Sequence, residues 1–319
     1  MTSVVAVIAS YEPGDEIVDV VKRVSEQVDS VIIVDDGSSS LLDGATGPVR
    51  QALDNCAAIG ATILENPTNL GIAHALNCGV RLALERGADA VLTLDQDTHV
   101  GDDFIARTLD HLALASSLGL TRIMLSPSVI NGEVAQFWYA EKGLTLAYEP
   151  IQSGLVVTRE VFDTVGLFDE DLFIDCVDTE FYLRVRAAGG HALVVPGAQI
   201  RHSFGRPARW TPPGLLKRLF SGTGGAGVEF TEDAPFRHYY IARNRLALYL
   251  RYARSEPLWC ASSIYKDTTT RGRAMIIGSR RRSRIYLTSA GIGAALRGEM
   301  GRIPDRTLRR AGAWSRADR

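Results

Sequence analysis

The sequence predicts an α/β protein with a mostly parallel central sheet flanked by helices, and two observations support this fold class. Short aliphatic runs rich in β-branched residues, such as Val4–Ala9, are typical of strands buried on both faces of a sheet. Stretches with helical apolar spacing follow these runs, so that strand, helix and strand fit within about 30 residues. This alternation favours βαβ units, in which parallel strands are joined by right-handed crossovers.

The first hundred residues contain four predicted strands and three predicted helices. The strands are the aliphatic runs at 4–9, 31–34, 61–64 and 91–94. The helices are predicted at 15–27, 49–59 and 72–86. Apolar residues recur there every three or four positions, and Gly87 is a suitable residue to end the last helix. Polar turn residues follow the first two strands, so we expect these turns to lie on one rim of the sheet.

The fourth strand ends in two carboxylates one residue apart, Asp95 and Asp97. Alternate residues of an extended segment point to the same side. Open α/β sheets bind ligands at the carboxyl ends of their strands, and carboxylate oxygens suit Mg²⁺ or Mn²⁺. Two acids after a strand also fit an ordinary solvated loop, and this pair by itself leaves both interpretations open.

The second half continues the pattern with longer irregular stretches. Helices are predicted at 104–117, at 159–165, from the 175–180 segment to about 188, and at 236–252, and strands at 122–125, 153–157 and 192–195. Residues 127–150 hold Trp138, Tyr139 and Tyr148 with little periodicity. These aromatic side chains either form the wall of a pocket or pack internally, and both interpretations stand. Residues 203–235 are rich in Gly and Pro and are predicted to form a mobile loop.

Charge is distributed unevenly along the 319 residues, whose net charge is only −2. Residues 242–319 hold 17 Arg and one Lys against five acidic residues, a charge of +13, and the first 241 residues therefore carry −15. A basic C-terminal region suggests an anionic surface as its partner, and we expect anionic lipid rather than nucleic acid. The alternative is a solvated tail, or one that pairs with the acidic body of a partner subunit.

Cysteine spacing and hydropathy exclude several classes of protein. The four cysteines are scattered without a C-x-x-C pair, which argues against a zinc site or a disulfide framework and makes a cytoplasmic location the expectation. The first residues enter a strand directly, so no signal peptide is predicted. No run approaches the roughly 18 apolar residues of a membrane-spanning helix. We expect that any contact with a membrane is made at its surface.

Five motifs in this order resemble family 2 glycosyltransferases of the GT-A fold. They are Ser10-Tyr11, Asp35-Asp36-Gly37-Ser38, Asn69-Leu70-Gly71 with Ala75-Leu76-Asn77, Leu94-Asp95-Gln96-Asp97, and Val177-Asp178-Thr179-Glu180 with Leu183-Arg184. Three further features are similar to the bacterial rhamnosyltransferase branch. They are Asp-Gln-Asp-Thr at 95–98, Phe173-Ile174-Asp175, and Tyr239-Tyr240 with Arg243-Asn244. The resemblance runs from about residue 3 to 255 and rests on the order and spacing of the motifs.

The resemblance implies roles at the donor end of the site. Tyr11 would pack on the nucleotide base, and Asp36 would accept a hydrogen bond from a ring N–H. Asp95 would contact the donor's ribose or sugar and join Asp97, which would bind the divalent metal, Mg²⁺ or Mn²⁺. His202 falls where some relatives have a third metal contact, although a packed histidine is the alternative. The other implied donor residues are Ser10, Asn69, Gln96 and Arg243, of which Arg243 could instead tie the last helix to the domain.

The resemblance also implies the acceptor end. Asp178 matches the general base, with Glu180, Trp138 and Asp175 on the acceptor side. Many relatives carry a carboxylate directly before the base, whereas this chain has Val177, which leaves Asp175 or Glu180 as candidates for that tuning role. The alternative for Asp178 is an N-terminal cap of the helix that follows. One base without a covalent nucleophile implies inversion at the anomeric carbon.

The implied function is the transfer of L-rhamnose from dTDP-L-rhamnose to a saccharide in cell-envelope polysaccharide synthesis. A polyprenyl-diphosphate-linked acceptor would place the enzyme on the inner face of the cell membrane. One alternative keeps the fold and uses UDP-galactofuranose or a UDP-N-acetylhexosamine as donor. Another is a non-catalytic, nucleotide-binding membrane scaffold, against which the presence of Asp95, Asp97 and Asp178 argues.

The predicted domain organisation follows from the positions of these motifs. A GT-A catalytic domain is expected at 1–235, with a nucleotide-binding half at about 1–100 and an acceptor half at about 101–235. A helical, Arg-rich C-terminal region is expected at 236–319 and is a candidate for membrane association. No heptad pattern predicts a dimer, and homodimerisation is left open.

Overall fold

A computed structural model describes residues 2–41, 46–203, 205–210 and 228–317. The chain divides into two compact units, one ending at Ser203 and one beginning at residue 204. The predicted boundary between 235 and 236, which separates a catalytic domain from a C-terminal region by function, stays a prediction. The predicted mobile loop at 203–235 falls largely on positions outside the described residues.

The first unit is a sheet with helices packed on it. Its strands are β1 (Val4–Ser10), β2 (Ser30–Asp35), β3 (Thr62–Glu65), β4 (Ala90–Asp95), β5 (His99–Val100), β6 (Ile123–Ile130), β7 (Glu133–Val134), β8 (Phe137–Glu141), β9 (Leu144–Ala147), β10 (Leu155–Thr158) and β11 (His191–Arg201). Its helices are α1 (Glu16–Ser25), α2 (Pro48–Ala58), α3 (Ile72–Glu85), α4 (Phe104–Ser117), α5 (Arg159–Val165) and α6 (Val177–Ala187).

The strand order of this sheet is β3-β2-β1-β4-β10-β6-β11-β9-β8, and β5 and β7 pair with β11 and β6. The four strands from β3 to β4 are parallel, as the βαβ pattern predicts. β10 runs antiparallel between β4 and β6, and β11 is parallel to β6. The sheet is therefore mixed, with a parallel half followed by a half that contains reversed strands.

Apolar burial explains why these segments form this sheet. Every residue of β1 is buried, which fits a continuous aliphatic run covered on both faces. The apolar stripe of α1, made of Ile17, Val20, Val21 and Val24, is buried at 0–1% exposure. Helix α4 and helix α5 have the bounds that the sequence predicts, because both are fixed by local apolar spacing.

Strand β11 is longer than predicted, since residues 192–195 were expected to end at a turn formed by Pro196 and Gly197. Instead the strand continues to Arg201, and its register against β6 shifts between Val195 and Gln199. Gly197 has a φ of 77° inside this irregularity. A β-bulge tolerates a proline and a glycine that would otherwise end a strand. Pro196 and Gly197, which predicted a turn, therefore lie in a bulge within β11.

The second unit, as far as it is described, contains a pair of antiparallel strands and four helices. The strands β12 (Arg206–Trp210) and β13 (Val228–Glu232) pair antiparallel, and the helices are α7 (Arg237–Tyr252), α8 (Pro257–Ile277), α9 (Arg281–Leu296) and α10 (Asp305–Ala317). Helices α7 and α9 pack closely at Gly291, where a Cβ would lie 2.3 Å from the Tyr239 carbonyl oxygen. The predicted helical extension is thus present, with a buried Trp259 in its core. Among the helices of the described residues, none has the length and apolar character needed to cross a bilayer.

Candidate active site

The carboxyl end of β4 carries the Asp95–Asp97 pair, and strand pairing brings a histidine beside it. After β4 the chain turns, with the Thr98 N–H donating to the Asp95 carbonyl at 3.2 Å, and enters β5. β5 pairs antiparallel with the end of β11, and His202 directly follows that strand. Asp95, Asp97 and His202 each offer one ligand atom, and these three atoms lie within 4.8 Å of one another.

The charges of this cluster are partly buried and coupled. His202 Nδ1 lies 3.3 Å from Asp97 Oδ1, and His202 Nε2 lies 3.8 Å from Asp95 Oδ2. Burial acts to raise the pKa of Asp97, but the hydrogen bond and charge of His202 outweigh it, so that the pKa is lowered from its ordinary value. Asp97 is therefore an anion at neutral pH, which is the form that binds a cation.

Hydroxyl and amide groups hold the cluster from outside. Thr98 Oγ1 lies 2.8 Å from His202 Nδ1, and Ser153 Oγ donates to Thr98 Oγ1 at 2.6 Å. Ser153 Oγ also accepts from the Asp95 N–H at 2.9 Å. The side chain of Asn131 accepts from the His202 N–H and donates to the His202 carbonyl, at 2.9 and 2.7 Å. Such outer partners fix the orientation of metal-ligating side chains.

This set of side chains fits a divalent cation. Two carboxylates and one imidazole are ligands that Mg²⁺ or Mn²⁺ accepts, with the remaining positions left to water or to phosphate oxygens. The two predicted acids, Asp95 and Asp97, and the predicted third contact, His202, lie together in the structure. If His202 were only a packed side chain, the position of the Asp95 and Asp97 carboxylates beside its ring would have no explanation.

Asp178 lies in the first turn of α6, after a segment with unusual backbone conformation. Phe173, Asp175 and Cys176 have φ angles of 66°, 66° and 62°, which are uncommon for residues with a Cβ. Cys176 is the N-cap residue of α6, so Asp178 is not the N-cap that the alternative interpretation required. Its Oδ1 accepts from the Thr179 N–H at 2.7 Å, which helps to fix the carboxylate.

Two consecutive residues join Asp178 to the acidic cluster. The Gln152 N–H donates to Asp178 Oδ2 at 3.2 Å, and the next residue, Ser153, accepts from the Asp95 N–H at 2.9 Å. This segment precedes β10, which begins at Leu155 and runs antiparallel beside β4. The residues predicted as general base and as metal ligands therefore lie at the same end of the sheet.

Sequence reasoning missed four residues that organise this site: Thr98, Asn131, Gln152 and Ser153. Thr98 had a local signal, because it directly follows the Asp95–Asp97 motif. The other three have none, because they reach the site only through the pairing of β10 with β4 and of β6 with β11.

Tyr11 and Gln96, both predicted on the donor side, are connected by a hydrogen bond. The Tyr11 N–H donates to Gln96 Oε1 at 2.8 Å, and the Tyr11 side chain is 44% exposed, so that its ring is accessible to a ligand. Ser10 is buried, with its hydroxyl donating to the Val34 carbonyl at 3.4 Å. The Ser10 hydroxyl thus has a hydrogen-bond partner inside the sheet. Its contact with the nucleotide-sugar donor stays a prediction.

Asp36 is buried, and its carboxylate accepts three hydrogen bonds from the protein. The donors are the Asn66 side-chain amide at 3.1 Å, the Leu70 N–H at 3.0 Å and the Gly71 N–H at 2.8 Å. Asp36 therefore fixes the loop that contains Asn69. In the structure, the Asp36 carboxylate holds this loop in place. Its contact with the nucleotide base stays a prediction.

Glu180 and Asp175, predicted on the acceptor side, differ in their surroundings. Glu180 is 2% exposed and forms an ion pair with Arg184 at 2.8 Å. Arg184 also donates to the carbonyls of Val165 and Leu167, so the pair joins α6 to the turn after α5. The ion pair with Arg184 is enough to explain why the Glu180 carboxylate is buried, and its contact with the acceptor stays a prediction. Asp175 is half-buried in the segment before α6.

Two of the aromatic residues at 127–150 pack internally, Trp138 on β8 and Tyr148 directly after β9. The rings of Trp138 and Tyr148 meet edge to face at a centroid distance of 4.7 Å, and Trp138 Nε1 donates to the Tyr182 hydroxyl at 2.7 Å. The guanidinium of Arg186 lies 5.7 Å from the Trp138 ring. Tyr139, in contrast, is 57% exposed. Internal packing therefore accounts for the position of Trp138, and its contact with the acceptor stays a prediction. Of the two neighbours on β8, Tyr139 is the exposed one.

Arg243, predicted as a donor-phosphate residue, is fully buried in the second unit. Its Nε donates to Asn244 Oδ1 at 2.9 Å, and its guanidinium also donates to the Gly301 carbonyl. The rings of Tyr239 and Tyr240 lie 5.6 and 5.2 Å from it. Complete burial favours the second of the two predicted roles of Arg243, that of tying α7 to its neighbours, and its donor-phosphate contact stays a prediction.

Comparison with known families identifies the chemistry of this unit. The profile described as "Glycosyl transferase family 2" matches residues 5–139, a range that includes the turns after β1, β2 and β4. Residues 5–139 form a family 2 glycosyltransferase domain, and the chain is a glycosyltransferase. The matched range ends before Asp178, whose role as the general base stays a prediction.

Two relatives of the glycosyltransferase carry rhamnosyltransferase names. It is 26% identical over 264 residues to the dTDP-rhamnosyl transferase RfbF of Shigella flexneri, a match covering 77% of this chain and 80% of the relative. It is also 26% identical over 243 residues to the N-acetylglucosaminyl-diphospho-decaprenol L-rhamnosyltransferase of Mycobacterium tuberculosis, covering 63% of this chain and 76% of the relative. The recognition of the bacterial rhamnosyltransferase branch is confirmed.

A solved structure supports the fold. The crystal structure of residues 1–349 of Staphylococcus aureus TarS in complex with UDP-GlcNAc aligns with 98% of the glycosyltransferase and 88% of the TarS chain, at a TM-score of 0.57 and 14% identity. At this identity the match bears on the fold alone, and it confirms the predicted GT-A architecture.

Proposed function

We propose that this glycosyltransferase moves L-rhamnose from dTDP-L-rhamnose to a saccharide acceptor with inversion of the anomeric carbon. The observation that carries the reaction class is the position of Asp178 and of the Asp95–Asp97–His202 cluster on either side of the Gln152-Ser153 segment. The choice of donor is supported by the names of the two relatives.

Asp178 is the proposed general base. Its Oδ2 and Oδ1 accept from the Gln152 and Thr179 N–H groups, which hold the carboxylate in place for a substrate hydroxyl. As that hydroxyl oxygen forms a bond to the anomeric carbon, its proton passes to Asp178 and the bond from the anomeric carbon to the diphosphate oxygen breaks. A single displacement of this kind inverts the configuration.

The diphosphate leaves as an anion, and the proposed metal ligands are placed to hold a cation for it. Asp95, Asp97 and His202 would bind Mg²⁺ or Mn²⁺, and the bound ion would supply positive charge against the departing diphosphate. Thr98 and Ser153 keep His202 and the Asp95 backbone in position. At the base-binding end we propose Tyr11 as the stacking residue, since its ring is exposed there.

We propose a lipid-linked saccharide as the acceptor and the cytoplasmic face of the membrane as the location. The name of one relative includes a diphospho-decaprenol saccharide, and the charge of +13 on residues 242–319 suits an anionic surface. Each basic residue near such a surface is worth about 1 kcal/mol. The catalytic domain in this proposal is 1–235, with the donor half up to about residue 100.

A thermal-shift screen of nucleotide sugars, with and without Mn²⁺, tests the donor. Because a ligand that binds only the folded state stabilises it by RT ln(1 + [L]/Kd), a hundredfold excess over Kd adds about 2.7 kcal/mol. We expect a Mn²⁺-dependent shift with dTDP-L-rhamnose and little shift with UDP sugars. A shift with UDP-galactofuranose or a UDP-N-acetylhexosamine alone would keep the reaction class and refute the rhamnosyl donor.

Turnover separates the enzyme from a nucleotide-binding scaffold. With dTDP-L-rhamnose, Mn²⁺ and a diphosphate-lipid-linked saccharide, we expect release of dTDP and a product larger by one deoxyhexose. The Asp97→Asn variant should lose the Mn²⁺-dependent part of both donor binding and turnover. Donor binding without turnover on any of a panel of saccharide acceptors would favour the scaffold.

A further inference from the structure

The second unit contains a cavity of about 400 Å³ between α7, α9, α10 and the connection from α9 to α10. Six of its lining residues bear charged or phenolic groups: Tyr239, Tyr286, Arg297, Glu299, Arg306 and Arg310. Its volume lies within the range of small-molecule sites. None of its residues belongs to the transfer machinery proposed above.

The cavity lining carries an excess of positive charge. Arg297 forms two hydrogen bonds with the Glu299 carboxylate, at 2.8 and 2.9 Å, so that one guanidinium is neutralised. Arg306 and Arg310 lie one turn apart on α10, and no ion pair is described for either within the described part of the chain. The three guanidinium groups and one carboxylate leave a formal charge of +2 in the lining, which suits a dianion.

Tyr239 adds a further polar group to the lining of the cavity. The residue is only 3% exposed, it lines the cavity, and none of the contacts within the described residues gives its hydroxyl a hydrogen-bond partner. Its ring is held against the buried guanidinium of Arg243, with 5.6 Å between the ring centroid and Arg243 Cζ. The hydroxyl oxygen is not fully buried, so it opens into the cavity and is placed to donate to a ligand oxygen there.

We propose that this cavity binds the phosphate or diphosphate group of an anionic ligand. Guanidinium groups present paired N–H donors that match phosphate oxygens, and two of them one turn apart reach adjacent oxygens. The Tyr239 hydroxyl is a further donor on the facing helix. The ligand comes either from a membrane lipid headgroup or from a soluble phosphorylated compound, which share this chemistry.

Titration of the full-length protein with inorganic pyrophosphate tests the site. EDTA is present throughout, so that the Asp95–Asp97–His202 cluster holds no cation and the result is independent of the transfer reaction. The test variant is Arg306→Gln/Arg310→Gln. The control variant, Arg302→Gln/Arg309→Gln, removes the same charge from two exposed arginines that do not line the cavity.

We expect wild-type protein and the control to bind pyrophosphate alike by calorimetry, and the test variant to bind at least about tenfold more weakly, since charge-assisted hydrogen bonds are lost. Tyr239→Phe keeps the packed ring and should weaken binding severalfold. This second variant reports on the site even where the double variant is poorly folded. Absence of binding by wild type, or equal weakening in the two double variants, would overturn the proposal.

Vesicles distinguish the two sources of phosphate. If the ligand is a lipid headgroup, the test variant but not the control loses binding to phosphatidylglycerol vesicles relative to phosphatidylcholine vesicles. If the ligand is soluble, both double variants bind vesicles equally while only the test variant loses pyrophosphate. Either result supports the cavity as a phosphate site.

Discussion

Gln152 and Ser153 are the residues through which the two chemical halves of the site meet. The Gln152 N–H holds the Asp178 carboxylate, and the Ser153 hydroxyl contacts both the Asp95 N–H and the Thr98 hydroxyl. Because adjacent residues of one segment make these contacts, a shift of the segment would move the base and the metal ligands together. At the scale of single residues, the site is therefore one unit.

Replacing Asp178 with Asn should separate chemistry from binding. The amide keeps the shape of the side chain and cannot take the acceptor proton, so we expect turnover to fall by roughly 10²- to 10⁴-fold. The affinity for the nucleotide sugar, measured by calorimetry, should stay within about a factor of two. Asp163→Asn, an exposed acid on α5, is the matched control. An unchanged rate in Asp178→Asn would remove this residue from the mechanism.

Replacing Thr98 with Val should weaken metal binding without touching a ligand. The change keeps the volume and removes the hydroxyl that lies 2.8 Å from His202 Nδ1. Loss of an outer partner of this kind typically costs 10- to 100-fold in metal affinity, roughly what we expect for Mn²⁺ by calorimetry. In the control, Thr108→Val, the lost hydroxyl bonds only its own helix at the Phe104 carbonyl, at 2.7 Å. Equal Mn²⁺ affinity in wild type and Thr98→Val would contradict the role given to Thr98.

At the scale of elements, Asn77 on α3 connects the donor half to the turn before α6. It is buried, donates to the Phe168 carbonyl at 3.0 Å and to the Glu170 carboxylate at 2.8 Å, and accepts from the Phe168 N–H at 2.9 Å. The motif containing Asn77 pointed to a family, and the structure shows a structural function for it. Three hydrogen bonds from one side chain fix this turn against α3.

Asn77→Ala should reduce the free energy of unfolding by about 2–3 kcal/mol, because a buried N–H and a buried carbonyl lose their partners. Chemical denaturation of the full chain measures this loss. Arg81→Ala removes a different contact to the same carboxylate, an exposed ion pair of 3.2 Å, and should cost at most about 1 kcal/mol. A loss in Asn77→Ala no larger than that in Arg81→Ala would show that the turn is held by other contacts.

At the scale of the whole molecule, the separation of charge is the dominant feature. The first 241 residues carry −15 and the rest +13, so that a net charge of −2 conceals a strongly basic region. Some arginines of this region, such as Arg243 and Arg284, are buried inside the second unit. The arginines on the surface are the ones that the proposed anionic partner would contact.

The full-length protein should therefore sediment with vesicles containing phosphatidylglycerol and not with pure phosphatidylcholine. Binding should weaken as salt rises from about 0.1 M to 1 M, where the Debye length falls from about 10 to 3 Å. A sedimentation assay across this salt range measures both effects. If vesicle binding depended neither on lipid charge nor on salt concentration, the basic region would be a solvated surface or a contact with another protein.

Local patterns in the sequence determined the elements and much of the chemistry. Local sequence patterns predicted the bounds of α4 and α5 closely, and the aliphatic runs predicted β1 to β4 within about two positions. The Asp95–Asp97 pair at a strand end predicted carboxylates in a ligand crevice. These features depend on neighbours close in the chain, which is why the sequence alone reveals them.

Only the tertiary structure decided which distant residues share the site. His202 meets Asp95 because β5 pairs with β11 across about 100 residues of chain, and Ser153 arrives because β10 runs antiparallel to β4. Burial likewise decided that Glu180 and Arg243, polar residues in family-like motifs, are held in internal ion pairs and ring contacts. Strand order and burial arise from the sum of many long-range packing contacts, and no local spacing of residues encodes them.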